Sequence, residues 1–274
     1  MIDLHVHSDC SLDGRASMPE MAQAAISAGI ATLCFTDHCD LCRFDQAGVL
    51  DPDCYPRWKP AVGRHAEAAA ALGNEIELLL GIELGGITAA PALAAEIAGT
   101  RELDFVIGSV HALRDEKDFF CLEYESRAQC DDLCRRYIEE NIEAVRAGCF
   151  DVLAHVGYCL RYMARAGFVP DLMRFEGRLR ALFALCVQTG TGLEVNTSGL
   201  RQGLGHTFPD ARLLKLYRAC GGELLTVGSD AHVPGDMGAD IPKTLSLLAE
   251  LGFRYITVFR KRRAEFIKLE SLLD

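Results

Sequence analysis

Six of the eight histidines in this chain fall where a short apolar run ends, and most have an aspartate or glutamate close by. The segments are Asp3-Leu4-His5-Val6-His7, Thr36-Asp37-His38, Gly81-Ile82-Glu83, Ser109-Val110-His111, Leu153-Ala154-His155 and Gly228-Ser229-Asp230-Ala231-His232. The apolar runs read as strands at about 2–6, 32–35, 76–82, 105–109, 152–154, 192–195 and 224–227, with a weaker one at 255–258. Between them the apolar residues recur with helical spacing at about 18–28, 60–72, 92–98, 127–147, 172–189, 210–219, 242–251 and 262–272. Ser17-Met18-Pro19-Glu20 and Ser126-Arg127-Ala128-Gln129 have the capping-box pattern that opens a helix. Strands alternating with helices must pair in parallel, as an open doubly wound sheet or a closed barrel. An open sheet gathers its site at one switch point, whereas a barrel brings all its strand ends to one face. Six ligand-bearing strand ends converge only in a barrel, so the expected class is α/β with a TIM-like barrel.

Imidazoles and carboxylates delivered together suit a divalent metal of borderline to hard character. His5 and His7, two residues apart on a strand, share a face and can chelate one ion.

Composition narrows the alternatives. With 274 residues, half of them hydrophobic, the chain can bury one large core, and no linker or low-complexity stretch interrupts it, so one domain spanning 1–274 is expected. A net charge of −11 argues against nucleic-acid or anionic-membrane partners. The basic cluster Arg260-Lys261-Arg262-Arg263 is read as a solvated helix start. No apolar run reaches the roughly 18 to 20 residues of a membrane span. The first strand leaves no room for a signal peptide, and cytoplasmic residence is expected. Twelve cysteines are then thiols, with Cys34, Cys149, Cys186 and Cys220 as small core residues and Cys39/Cys42 an incidental loop pair.

The run His5-Val6-His7, Asp13-Gly14, Thr36-Asp37-His38, Gly81-Ile82-Glu83, Ser109-Val110-His111, His155 and Gly228-Ser229-Asp230-Ala231-His232 resembles the polymerase-and-histidinol-phosphatase superfamily over nearly the whole chain. Glu194-Val195-Asn196-Thr197-Ser198-Gly199-Leu200-Arg201 resembles the sixth-strand segment of its histidinol-phosphate phosphatase branch. The resemblance implies a distorted (β/α)7 barrel with three divalent ions, Zn, Fe or Mn. It places His5, His7, Glu83 and Asp230 around one ion, with Glu83 bridging to a second held by His111 and His155. Asp13, His38 and His232 take the third. Some relatives have histidine where this chain has Asp13, and an oxygen donor there favours a harder ion such as Mn or Fe. Such a cluster lowers the pKa of water from about 15.7 towards 7, making a hydroxide bridging the ions the expected nucleophile on a phosphate dianion.

Phosphate-positioning arginines belong on the same face, and Arg161 and Arg201 are within reach of it, a pair the resemblance also gives. Arg15 and Arg43, on earlier loops, are weaker candidates. Asn196 positions water or substrate, or satisfies nearby backbone. His206 donates a proton to the leaving alcohol or recognises substrate, while His65 is a solvated helix residue. Trp58 and Tyr55 form either a pocket wall or a hydrophobic plug.

The expected activity is hydrolysis of L-histidinol phosphate to L-histidinol and phosphate. The alternatives are a relative acting on another small phosphomonoester or a nucleotide, and a non-catalytic metal-binding module. The last expects missing ligands and a partner domain, whereas every ligand position here is filled.

Overall fold

A computed structural model describes residues 1–41, 43–44, 50–51 and 59–273, with side-chain placement left undescribed at 43–44 and 50–51. Cys42, Tyr55 and Trp58, and the side chain of Arg43, therefore lie outside the described residues. The elements in chain order begin with β1 Ile2–Val6, α1 Met18–Ser27, β2 Thr32–Phe35, β3 His38–Asp40, β4 Arg43–Phe44 and β5 Leu50–Asp51. Next come α2 Val62–Leu72, β6 Glu77–Gly85, α3 Pro91–Ala98, β7 Phe105–Ser109, α4 Arg127–Ala147, β8 Val152–Leu153 and α5 Tyr158–Arg165. The chain continues with α6 Glu176–Thr189, β9 Gly192–Asn196, α7 Ser198–Arg201, α8 Ala211–Ala219 and β10 Leu225–Gly228. It finishes with α9 Ile241–Glu250, β11 Tyr255–Arg260 and β12 Arg263–Lys268. Both capping predictions hold: the Ser17 N–H donates to Glu20 (2.8 Å), and Ser126 Oγ accepts from the Gln129 N–H (3.2 Å).

Among the described residues the main sheet runs β1-β2-β6-β7-β8-β9-β10, all parallel, with β3 added alongside the upper half of β6. The ring closes between β10 and β1 only at its upper end. There the Asp230 N–H donates to the His5 carbonyl (2.8 Å) and the His7 N–H to the Ala231 carbonyl (2.9 Å). Below this seam Asp3 accepts from Ser229 N–H (2.8 Å), Ser229 Oγ (2.5 Å) and Gly238 N–H (3.1 Å). The result is a distorted parallel barrel with helices outside.

The strands bury both faces. Leu80, Ile82, Leu84, Val106, Leu153, Leu193, Val195, Leu225 and Val227 pack outwards in one cluster with the helices. Their alternates Leu79, Phe105, Ile107 and Val152 face inwards with Ile2, Leu4, Val258 and Phe259. An irregularity in β1 between Asp3 and Val6 lets Leu4 and His5, consecutive residues, both serve the interior.

One expectation fails. Residues 263–268 are not a helix but strand β12, antiparallel to β11, and the basic cluster is the hairpin turn between them. Lys261 and Arg262 both have positive φ (49° and 62°), a conformation usually signalled by Asn or Gly, so local sequence concealed the hairpin. Tertiary contacts enforce the turn. Arg262 donates to Asp151 Oδ2 (2.5 Å) and to the carbonyls of Ala98 (2.7 Å) and Cys149 (3.1 Å), while the Lys261 N–H donates to Asp104 (2.9 Å). The hairpin plugs the N-terminal end of the barrel, with Phe259 stacked on Phe105 at 5.2 Å. Among the described residues no helix is long and apolar enough to cross a membrane.

Candidate metal centre

The interior rows of the strands end at the upper mouth in polar groups: His5 from β1 and His7 just past it, His38 from β3, Glu83 from β6 and Glu194 from β9. His111, His155 and the pair Asp230 and His232 follow β7, β8 and β10. His155 and Asp230 turn inwards through positive φ (26° and 57°), costing on the order of 1–3 kcal/mol each. Gly228 permits the crowding, since a Cβ there would lie 2.3 Å from His5 Cβ.

Glu83 is the hub. Its Oε2 lies 3.4 Å from His5 Nε2, 3.5 Å from His7 Nε2 and 3.0 Å from His38 Nδ1. Its Oε1 lies 3.0 Å from His111 Nε2 and 2.7 Å from His155 Nε2. Asp230 Oδ1 is 3.4 Å from His7 and 3.7 Å from His5. Asp13 reaches in from the loop after β1, 3.6 Å from His38 Nε2 and 3.2 Å from His232 Nε2. All nine expected ligands thus meet at one mouth. Among the described residues, three groups bring donor atoms within 4.8 Å of one another: His5, His7 and Glu83; His38, Glu83 and His111; and His7, His38 and His232. The second group draws on His38 and the third on His7, so the donors are shared more widely than one residue per ion. His5 Nε2 faces His7 Nε2 at 3.1 Å, and His111 Nε2 faces His155 Nε2 at 3.4 Å. Two ring nitrogens face to face need a proton or a cation between them. The donor chemistry and this geometry fit divalent metal.

The electrostatics agree. Burial opposes charge on Glu83 and Asp230, yet the surrounding imidazoles hold both carboxyls well below the ordinary range. Burial likewise opposes charge on His38, but Glu83 raises it to about 9. His5 is raised well above its ordinary value against burial, by Glu194 first and then Glu83 and Asp230. His7 is held well below by burial and by neighbouring His232 and His38. Without metal the cluster therefore shares protons among its rings, and metal binding would release them.

Two arginines converge on Asp230. Arg161 Nη2 lies 3.5 Å from Asp230 Oδ2 and donates to Ser198 Oγ (3.0 Å), its guanidinium packed on Tyr158, Tyr162 and Phe208 at 5.0, 5.8 and 5.5 Å. Arg201 donates to the Asp230 carbonyl (2.8 Å) and to Asp236 (3.1 Å). The remaining candidates are not part of the donor cluster itself. Asn196 is buried beneath the centre, its oxygen accepting from Ser198 N–H (3.0 Å) and Oγ (2.6 Å). His206 Nδ1 donates to the Thr207 carbonyl (2.9 Å), and the ring lines an apolar cavity with Leu160, Met173, Phe208 and Leu213. Arg15 is exposed, and His65 is half-buried against β6, not fully solvated. Cys34, Cys39 and Cys186 are buried in the core, with Cys149 and Cys220 partly buried against it.

Sequence reasoning missed two carboxylates. Glu194 Oε1 lies 2.5 Å from His5 Nδ1, and its Oε2 accepts from the His155 N–H (2.9 Å). Asp40 lies 3.6 Å from His38 Nδ1 and 3.3 Å from His111 Nδ1. Glu194 at His5 and Asp40 at His111 touch the ring nitrogen turned away from Glu83, whereas at His38 Asp40 shares Nδ1 with Glu83. Their only sequence signal is an acidic residue in step with the strand-end ligands: Asp40 two past His38, Glu194 on an inward row.

Comparison with known proteins agrees with this architecture. The chain is 28% identical over 271 residues to a protein of Deinococcus radiodurans named a probable histidinol-phosphatase, covering 97% of this chain and 98% of that one. It is 26% identical to a like-named protein of Thermotoga maritima, covering 96% and 97%. Its fold matches a crystal structure of histidinol phosphate phosphatase from Lactococcus lactis complexed with zinc, L-histidinol and phosphate. That match has a TM-score of 0.78 at 21% identity and covers 96% of this chain and 98% of that one. A family model for the PHP domain matches residues 3–198, which hold the donors from His5 through His155, and the chain belongs to that family.

Proposed function

We propose that the chain is a metal-dependent phosphomonoesterase that hydrolyses L-histidinol phosphate to L-histidinol and phosphate, a step of histidine biosynthesis in the cytoplasm. The observation that carries this reading is the convergence of five imidazoles on Glu83, with Arg161 and Arg201 beside it at Asp230. Relatives named for this activity align over nearly the full chain, which supports the choice of substrate.

Three divalent ions, Zn, Fe or Mn, are proposed. His5, His7, Glu83 and Asp230 would hold one, Glu83 with His111 and His155 a second, and Asp13, His38 and His232 a third. Bound there, the ions would acidify a water molecule and offset phosphate charge. The chain's own groups do the rest. The barrel interior below the mouth is closed by Leu79, Phe105 and Ile107, which keeps water to the upper face. Arg161, packed among three aromatic rings, would present guanidinium donors to a phosphoryl group beside the Asp230 carboxylate, and Arg201 beside its carbonyl.

The test is phosphate release by metal-defined protein from histidinol phosphate, an aryl phosphate and a nucleoside monophosphate. The proposal expects kcat/KM to favour the first by a wide margin, because imidazole and ammonium groups offer contacts the others lack. Equal rates would leave a general phosphomonoesterase, and preference for the nucleotide would reassign the substrate.

A further inference from the structure

Glu194 stands on the inner row of β9, fully buried, and is not one of the proposed ligands. Its Oε1 lies 2.5 Å from His5 Nδ1, while Oε2 accepts from the His155 N–H (2.9 Å) and from Asn196 Nδ2 (3.3 Å). Gly228 opposite leaves it room, since a Cβ there would stand 2.8 Å from Glu194 Oε1. On the far side of the ring His5 Nε2 faces His7 Nε2 (3.1 Å), Glu83 Oε2 (3.4 Å) and Asp230 Oδ1 (3.7 Å).

We infer that Glu194 is a positioning residue that keeps the His5 proton on Nδ1, leaving the Nε2 lone pair for the metal centre, and with its other oxygen fixes the backbone of His155. A carboxylate can only accept, so Nδ1 must be the protonated nitrogen whenever His5 is neutral. One carboxylate thereby sets a ligand of each of two neighbouring ion sites, and the second contact falls where the backbone is strained, at His155 with φ of 26°. The inference rests on the ligand assignment proposed above.

The chemistry makes Glu194→Gln a sharp probe. A glutamate offers two acceptor oxygens, whereas a glutamine of the same shape offers one oxygen and an NH2 group. The His155 N–H and Asn196 Nδ2 can only donate, so the amide oxygen must face them. The NH2 group then points at His5 Nδ1. Nδ1 becomes an acceptor, the ring proton moves to Nε2, and His5 presents no lone pair to the centre.

Zinc affinity measured by chelator competition on the wild type, Glu194→Gln, His5→Ala and the double variant reads this out. The expected result is a loss of roughly 10- to 100-fold in affinity for Glu194→Gln, the range for groups that orient metal-bound histidines. The metal-free variant should still unfold cooperatively, and Glu194→Gln should cost no further zinc affinity in the His5→Ala background. Wild-type affinity in Glu194→Gln, or the same loss with His5 already removed, would overturn the inference. Long-range proton–nitrogen NMR on the zinc-loaded wild type adds a measurement that needs no variant. His5 must carry its proton on Nδ1, and a proton on Nε2 refutes the role. A wild type that binds no zinc, Fe or Mn sinks the metal reading itself, an outcome distinct from either.

Discussion

The two ends of the barrel both gather carboxylates, buried at the upper end and partly exposed at the lower, and treat them differently. At the N-terminal end Asp151, Asp104 and Glu77 meet partners with fixed protons. Arg262 and the Val106 N–H donate to Asp151 (2.5 and 2.9 Å), the Leu80 and Lys261 amides to Asp104 (3.1 and 2.9 Å), and Arg260 and Thr32 to Glu77 (2.6 and 2.8 Å). At the C-terminal end Glu83 and Asp230 meet chiefly imidazoles, whose charge is conditional. A guanidinium never gives up its proton in a protein, so the lower end is neutralised once and for all. An imidazole can surrender its proton and offer the lone pair to a metal. The upper end is thus assembled for exchange and the lower for permanence.

The comparison breaks most visibly at Glu83. In Glu83→Ala, bound metal should be lost or scrambled and kcat/KM should fall by roughly 10⁴-fold or more, since a metal centre supplies several kcal/mol of charge stabilisation. The variant should still fold cooperatively by thermal melting, because the lower end and the outer core are untouched. Full activity with unchanged metal content would remove the centre from the mechanism.

Arg201 tests whether the upper end also carries fixed charge for the substrate's sake. Arg201→Ala should lose about 2 to 5 kcal/mol in kcat/KM with metals retained. Arg201→Lys should recover only part of that, because an ammonium cannot make the two-pronged contact. An undiminished rate would assign this arginine to its Asp230 and Asp236 contacts alone.

Arg262 tests the other end. Arg262→Ala removes one ion pair and two carbonyl contacts at a partly solvated site, so denaturant midpoints should report a loss of about 2 kcal/mol. Activity per folded molecule should stay at the wild-type level. A large drop in kcat/KM with stability unchanged would erase the division of labour between the ends.

The smallest effect concerns pH. Arg260 holds the Glu77 carboxyl below its ordinary value of 4.5. A depressed carboxylate adds stability above its unfolded pKa and loses it as pH falls through the folded one. The stability gap between wild type and Glu77→Gln should therefore be constant above about pH 5 and close on acidification, with a size under about 1 kcal/mol because the pair is half open to solvent. A gap that persists at low pH would mean that packing, not charge, is what Glu77 contributes.

The upper end was far more legible in the sequence than the lower. His5, His7, His38, Glu83, His111 and Asp230 each lie within three residues of an apolar run, so periodicity brought them into step. Glu194 and Asp40 were not recognised because they support the outer nitrogens of His5 and His111, relations between residues 189 and 71 positions apart. The closing hairpin was misread for another reason. Arg263-Ala264-Glu265-Phe266-Ile267-Lys268 has a polar, exposed face, and the turn at Lys261-Arg262 has no Gly or Asn to announce it. Distant groups make that turn stable, the carboxylates of Asp104 and Asp151 and the carbonyls of Ala98 and Cys149, and no local pattern encodes them.

The seam between β1 and β10 joins residues from the two ends of the ring, with Asp3 bonded to Ser229 across 226 positions. Contacts of such separation are slow to form, because the chain between them must be ordered first. His5 and Asp230 flank that seam, so a partly assembled or locally opened ring presents only half of their donor set. Ion capture therefore acts as a checkpoint on the finished ring. An ion that binds only the closed form stabilises it by mass action, about 4 kcal/mol at a thousandfold excess over its dissociation constant. Metal supply should then govern how long each molecule survives in a cell, apart from how fast it turns over.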